Sequence, residues 1–365
     1  MKFGPVGLIS PSPRRGKRKL KSVVLVAPDN SEGRMAAKLV EGPVPTPGPG
    51  ELVVKMEACG LCGTDLEKIR GGYTASLPVI GHEAVGRVHG VGEGVVGIKE
   101  KDAVFPHHHV PCYECYTCRH GNETMCDKYR SSSLVPGGFS QFFLVPRWNV
   151  SKGGVLRLPE EMSFELGSLI EPLGCCVRAM RHCQVKPTDT VLVAGAGPAG
   201  MMNALLLKLL GARVLMSDIS DARLEFAERS GVSLALNPSR DDVPTKVRAE
   251  TDGRGADLAV VASGSKEAIL QGLRSVRKGG RVCLFGIPYK GSVLDYDISS
   301  LYNSEQSVIT SYGATEEDTR EALQVLSGRG REFAGLVTHK FPLSRFDAAL
   351  EAASAARAMK VVLTP

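Results

Sequence analysis

The stretch Thr190–Gly200, TVLVAGAGPAG, constrains this chain most. A short apolar run ends in Gly195-Ala196-Gly197-Pro198-Ala199-Gly200 and passes straight into the helical pattern MMNALLLKLLG. Glycines at these three places permit a tight turn, close approach of a pyrophosphate to the backbone, and close packing of helix on strand. The helix N-terminus then turns its partial positive charge on that pyrophosphate. A lone GxGxxG is a weak signal. Here a second strand, ARVLMSD, follows, and Asp218 ends it about 20 residues on, where an acid meets ribose hydroxyls. A carboxylate there repels a 2′-phosphate, so NAD is expected rather than NADP. Arg223, five residues later, is placed to stack on adenine or to admit NADP.

Beyond this point the same texture repeats. ADLAVVASG, GRVCLFG and SVITSYG are strand-like, with helical segments between them. Alternation of this length predicts a parallel sheet with helices on both faces, over residues 173–313. Residues 20–172 read differently. SVVLVA, ELVVKMEA, AVGRVHGVG and DAVFPHHHV are β-like, punctuated by glycine and proline, and helical periodicity first becomes clear near FELGSLIEPLGCCVRAMRH. A return segment, 314–365, carries helices at EEDTREALQVL and FDAALEAAS and a last strand, KVVLTP. Two domains suit 365 residues.

The net charge of +6 is misleading. Residues 1–22 hold seven basic residues and no acid, and the rest of the chain carries 38 basic against 39 acidic residues. The body therefore lacks the footprint of a nucleic-acid binder, and residues 1–19 read as a solvated basic tail. No apolar run approaches a membrane span, and no apolar core with a cleavage site follows the basic tail. The cysteines are crowded rather than spread as a disulfide framework, which fits a reducing compartment and a cytoplasmic protein.

Four of them form Cys112-x2-Cys115-x2-Cys118-x7-Cys126. Four thiolates on one short lobe suit tetrahedral zinc and leave no open position for substrate, so this metal is structural. An iron–sulfur cluster and a set of free thiols are the other readings. In ferredoxins a Cys-Pro pair usually completes such a run, and no Pro follows Cys126. The triplet His107-His108-His109 precedes the lobe and reads as a strand end near the cleft, as plain surface, or as extra metal ligands.

Gly81-His82-Glu83-Ala-Val-Gly86-x5-Gly92-x2-Val95 resembles the zinc signature of medium-chain alcohol dehydrogenases, and Cys62-Gly63-Thr64-Asp65 resembles the same family's first-ligand motif. The cysteine lobe and the glycine motif fall in the family's order, and the resemblance spans residues 20–365. It implies a GroES-like β-rich catalytic domain beside a Rossmann domain, an α/β protein with a cleft between them. It implies two zinc ions per chain, one structural and one catalytic. The catalytic ion would be held by Cys62 and His82 with help from Glu83 and from Glu171, the latter as in the sorbitol and threonine dehydrogenase branches. Cys175 and Cys176, at the wrong offset, read as buried small residues. Zinc would then polarise an alcohol oxygen, nicotinamide would accept the hydride, and Thr64 is the expected proton relay. Many relatives carry a histidine five residues after the first cysteine; Glu67 stands there, either shuttling protons and binding a hydroxyl or lying on the surface, and in this it resembles the archaeal glucose dehydrogenases. The strand Val308–Gly313 lacks the arginine of sorbitol dehydrogenases. A polyol, a sugar or a hydroxy amino acid is the expected substrate, and a homotetramer, or else a dimer, the expected assembly.

Three other readings compete. A zinc-free reductase of the same superfamily would generally lack Cys62, His82 and the lobe. A zinc-ribbon nucleic-acid binder would leave the glycine motif and Asp218 unexplained. A catalytically silent scaffold would keep the fold.

Overall fold

The computed structural model describes residues 19–26, 36–70, 80–355 and 357–365. The expected tail thus lies outside the described residues, apart from Lys19. Among the described residues seven strands come first: β1 (Lys19–Val26), β2 (Ala36–Pro43), β3 (Leu52–Gly60), β4 (Glu83–Val91), β5 (Ala103–Pro106), β6 (Phe142–Val145) and β7 (Val155–Arg157). Six follow: β8 (Thr190–Ala194), β9 (Arg213–Ser217), β10 (Leu234–Leu236), β11 (Ala256–Val261), β12 (Val276–Leu284) and β13 (Ser307–Thr310). The chain closes with β14 (Val337–Pro342) and β15 (Lys360–Thr364).

The middle six strands form one parallel sheet in the order β10-β9-β8-β11-β12-β13. Counted from β8, that is the order 3-2-1-4-5-6 of doubly wound nucleotide-binding sheets. The winding reverses between β8 and β11, and such sheets take their ligand in the crevice beyond the strand ends there. Alternate residues explain why the sheet is covered on both faces. Val191, Val193, Val214, Met216, Leu258 and Val260 join one core, while Leu192, Leu215, Ala259 and Val261 join another. Each fully buried valine or leucine contributes about 1.5–3 kcal/mol.

The second sheet runs β14-β15-β3-β4-β5-β7, with β6 also on β3, and β1 pairs antiparallel with β2. The return segment thus adds two strands to this second sheet. The two halves share a core: Ala58, Val85 and Phe105 of one pack in the same cluster as Val191 and Leu258 of the other, with Leu173, Val177 and Met180 between them. Those last three lie on the helix Ile170–Cys183, which runs unbroken across position 172.

The helical pattern at 164–182 is in fact two helices. Phe164–Gly167 is capped by Ser163, whose Oγ accepts from the Leu166 amide, and Ile170–Cys183 starts afresh. Pro172 supplies the reason: having no N–H, it fits a helix only in its first turn. No helix among the described residues is long and apolar enough to cross a membrane.

Candidate active site

Cys62 follows β3 and opens the helix Gly63–Arg70. His82 and Glu83 lie at the start of β4, the strand paired with β3 through Gly60↔Glu83. Adjacent antiparallel strands therefore bring the two motifs to one end of the sheet. One ligand atom each from Cys62, His82 and Glu83 lie within 4.8 Å of one another. Asp65, fully buried, fixes the arrangement. Its Oδ2 accepts from the Cys62 amide at 3.2 Å, its Oδ1 from the Gly81 amide at 3.1 Å, and Nδ1 of His82 lies 3.4 Å from Oδ1. A carboxylate behind an imidazole orients a metal-binding histidine in this way.

Charge explains the rest of the site. Burial disfavours the charged form of His82, yet Asp65 and Cys62 outweigh it and raise its pKa well above the usual histidine value. A sulfur, a nitrogen and a buried carboxylate around one point are the donor set of a zinc site. Glu83 is also buried, and burial raises its pKa against the pull of Lys360. Nζ of Lys360, on β15, lies 2.5 Å from that carboxylate. Gly60 makes room for the pair, because a Cβ there would collide with both side chains.

Glu171 stands outside the group of three. It lies buried in the first turn of Ile170–Cys183, where the Cys175 thiol donates to its Oε1 at 3.6 Å. Its charge reaches Glu83, whose pKa it helps to raise. Cys176 is fully buried, and Cys175 partly so. Thr64 is half-buried beside Cys62. Glu67 lies 3.5 Å from Arg70 Nη1, with its side chain 37% exposed. The His108 ring packs 5.0 Å from that of His82, so the triplet lines the site.

The four-cysteine lobe is closed. Sγ separations are 3.5 Å for Cys112–Cys126, 3.5 Å for Cys115–Cys118 and 3.9 Å for Cys112–Cys118. Bonds of about 2.3 Å to a tetrahedral zinc put sulfurs about 3.8 Å apart. The Glu114 and Cys115 amides donate to Cys112 Sγ and lower its pKa. The Thr117 hydroxyl helps to draw Cys115 down to about 6, whereas burial pushes Cys118 up to about 12. Four crowded thiols cannot all ionise without a cation, and the lobe fits one.

At the nucleotide sheet, Gly197 caps the helix Pro198–Leu209, with Pro198 in its first turn. A Cβ on Gly200 would collide with the Gly195 carbonyl, whereas one on Gly197 would meet nothing nearer than the Arg223 guanidinium at 3.7 Å. The open side of Gly197 leaves room for a ligand to approach the backbone there. Asp218 follows β9, accepts from the Ala196 amide at 2.7 Å and the Ser220 amide at 2.8 Å, and lies 3.9 Å from Arg223 Nη1. It thus holds the glycine loop.

A family model described as an alcohol dehydrogenase GroES-like domain matches residues 48–159, and one described as a zinc-binding dehydrogenase matches residues 198–328. The chain is 32% identical to an L-threonine 3-dehydrogenase of Symbiobacterium thermophilum over 92% of its own length and 96% of the relative's. It is 29% identical to a sorbitol dehydrogenase of Halalkalibacterium halodurans, over 93% and 98%. Among solved structures, a protein of Sinorhizobium meliloti described as a zinc-binding dehydrogenase and bound to NADP superposes with a TM-score of 0.85 at 26% identity, covering 96% of this chain and all of that one.

Proposed function

The chain belongs to the zinc-binding alcohol dehydrogenase family, and on that footing we propose that it moves a hydride from a secondary alcohol to NAD at the Cys62–His82–Glu83 cluster. The observation that carries this reading is the convergence of those three ligand atoms within 4.8 Å at one end of the β3–β4 pair. Zinc would supply Lewis-acid activation of the alcohol and nicotinamide the hydride acceptor. Cys62 and His82 are the primary ligands in this account. Glu83 and Glu171 are two carboxylates within electrostatic reach of each other and of the metal position. Asp65 orients His82, and Thr64 passes the alcohol's proton toward solvent. Cys112, Cys115, Cys118 and Cys126 hold a second, structural zinc. The Glu67–Arg70 pair favours a surface role for Glu67 over proton transfer.

Gly195, Gly197, Pro198, Ala199 and Gly200 form the pyrophosphate cradle. Asp218 supports NAD over NADP, because a carboxylate at the end of β9 would repel a 2′-phosphate, although Arg223 beside it offsets part of that charge. A hydroxy amino acid of the threonine type is the first substrate class to test, since a threonine dehydrogenase is among the similar relatives, and polyols and sugars are the second. Self-association, as the expected homotetramer or as a dimer, is supported by the edge strand β13, where Val308 is exposed. Unpaired edges of this kind invite pairing with another copy. All ten cysteines are free, in keeping with a reducing, cytoplasmic setting.

The test is NADH formation by the zinc-loaded protein across threonine, polyols, aldoses and simple secondary alcohols. Chelator-sensitive turnover on one class is the expected result. No NADH on any of them would favour the silent scaffold.

A further inference from the structure

The four-cysteine lobe is held by one short stretch of chain. Residues 312–318 leave the end of β13 and enter the helix Glu316–Ala334. Tyr312 packs in the lobe's own cluster with Cys118, Cys126 and Tyr129. The Tyr129 hydroxyl donates to the Ala314 carbonyl at 2.9 Å and accepts from the Ala314 amide at 3.1 Å. Buried Arg178 reaches Glu123 at 3.3 Å on the lobe and Asp318 at 3.5 Å on the helix. Glu316 completes the grip. One carboxylate oxygen lies 2.7 Å from His107 Nδ1, and the other accepts from the hydroxyl of Tyr113, inside the lobe.

Helix capping does not account for Glu316. Thr315 and Asp318 already form a reciprocal capping box, and the neighbouring Glu317, three-quarters exposed, meets the helix dipole without burial. Glu316 is only 4% exposed. A buried carboxylate needs partners, and both of its partners belong to the other half of the chain. His107 is itself buried and begins the triplet whose next member packs on His82.

We propose that Glu316 is a positioning residue that ties the four-cysteine lobe and the His107–His109 strand end to the outlet of the nucleotide-binding sheet, so that cofactor bound on the sheet is felt at the lobe. The inference rests on the nicotinamide binding proposed above. Coupling of this kind is reciprocal: what NADH does to the lobe's lability, the lobe does to NADH affinity.

The experiment is iodoacetamide labelling of the zinc-loaded full chain, read cysteine by cysteine by mass spectrometry, with and without saturating NADH. NADH fluorescence titration of the wild type comes first; no binding overturns the proposed function and this inference with it. With binding established, NADH should slow labelling of Cys112, Cys115, Cys118 and Cys126 by about fivefold or more in the wild type, the lower end of ordinary coupling. In Glu316→Ala that ratio should fall to about one, and Glu316→Gln, which keeps an acceptor for His107, should restore part of it. A merely structural loss would speed labelling equally with and without NADH and leave the ratio alone. Binding without protection in the wild type, or equal protection in wild type and Glu316→Ala, overturns the inference. Should Glu316→Ala not fold, Tyr113→Phe removes only the lobe-side bond; it must lose the protection, and protection retained there overturns the proposal.

Discussion

Lys360 and Glu83 form a buried ion pair, with Nζ of the lysine 2.5 Å from the carboxylate and both side chains almost wholly removed from solvent. The pair joins the last strand of the chain to the strand that carries the candidate zinc ligands. Removing one partner leaves the other charged in a dry site. Lys360→Met should therefore cost about 3–5 kcal/mol. The double variant Lys360→Met with Glu83→Gln should recover part of that loss. Equilibrium denaturation checks both; equal stability of Lys360→Met and wild type would contradict the pairing.

The nucleotide sheet has an acid-sensitive tie at its base. Burial favours the protonated form of Asp257, but Arg277 Nε at 2.7 Å and the Thr190 amide at 2.8 Å outweigh it and hold the carboxyl below its usual pKa. A depressed carboxyl stabilises the fold fully above its unfolded pKa of about 3.9 and ceases to as pH falls through the lower folded value. Asp257→Asn should be less stable than wild type at neutral pH by about 1–2 kcal/mol. The difference should shrink once the pH drops below about 4, as the wild type loses the tie. Thermal melts across pH read this directly, and a difference that grows in acid would contradict it.

Asp218 accepts from the Ala196 amide, and in the proposed reading it also meets the cofactor's ribose. Asp218→Ser should weaken NADH binding about tenfold and narrow the preference over NADPH, because a small hydroxyl admits a 2′-phosphate that Arg223 can meet. Fluorescence titration with both cofactors decides it. An unchanged preference would place discrimination elsewhere.

The lobe's four thiols lie within 4.8 Å of one another, close enough to share one metal ion. Cys115→Ser should lose that zinc and lower thermal stability, with the hydride site still able to bind its own metal. Zinc analysis together with a melt checks this; two zincs and an unchanged melting temperature would contradict a structural site there.

The parallel sheet was legible because TVLVA, ADLAVV and RVCL are short apolar runs with glycine beside them, and because GAGPAG marks its first turn. Its brief edge strand β10 was not, since LAL is three residues, too short a run to show a strand period. β14, VTHKFP, was missed for another reason. Its burial alternates weakly, with no residue fully covered, so its sequence shows no apolar stripe. At the site, motif spacing pointed to Cys62 and His82, whose ligand atoms lie within 4.8 Å of each other and of Glu83. Lys360 carried no signal: a lysine in an apolar terminal strand reads as a solvated residue until Glu83 is found opposite it. Glu316 was hidden likewise, since three acids at a helix start read as dipole complements, and only packing separates the buried one from the exposed one.

The most direct test of the central claim compares zinc content, NADH affinity and turnover in wild type, Cys62→Ser and His82→Ala. The account predicts two zincs and hydride transfer in the wild type. It predicts loss of one zinc and of turnover in both variants, with NADH affinity within about threefold of wild type, because neither side chain belongs to the glycine cradle. Wild-type turnover in either variant would contradict the assignment of the Cys62–His82–Glu83 cluster as the catalytic metal site.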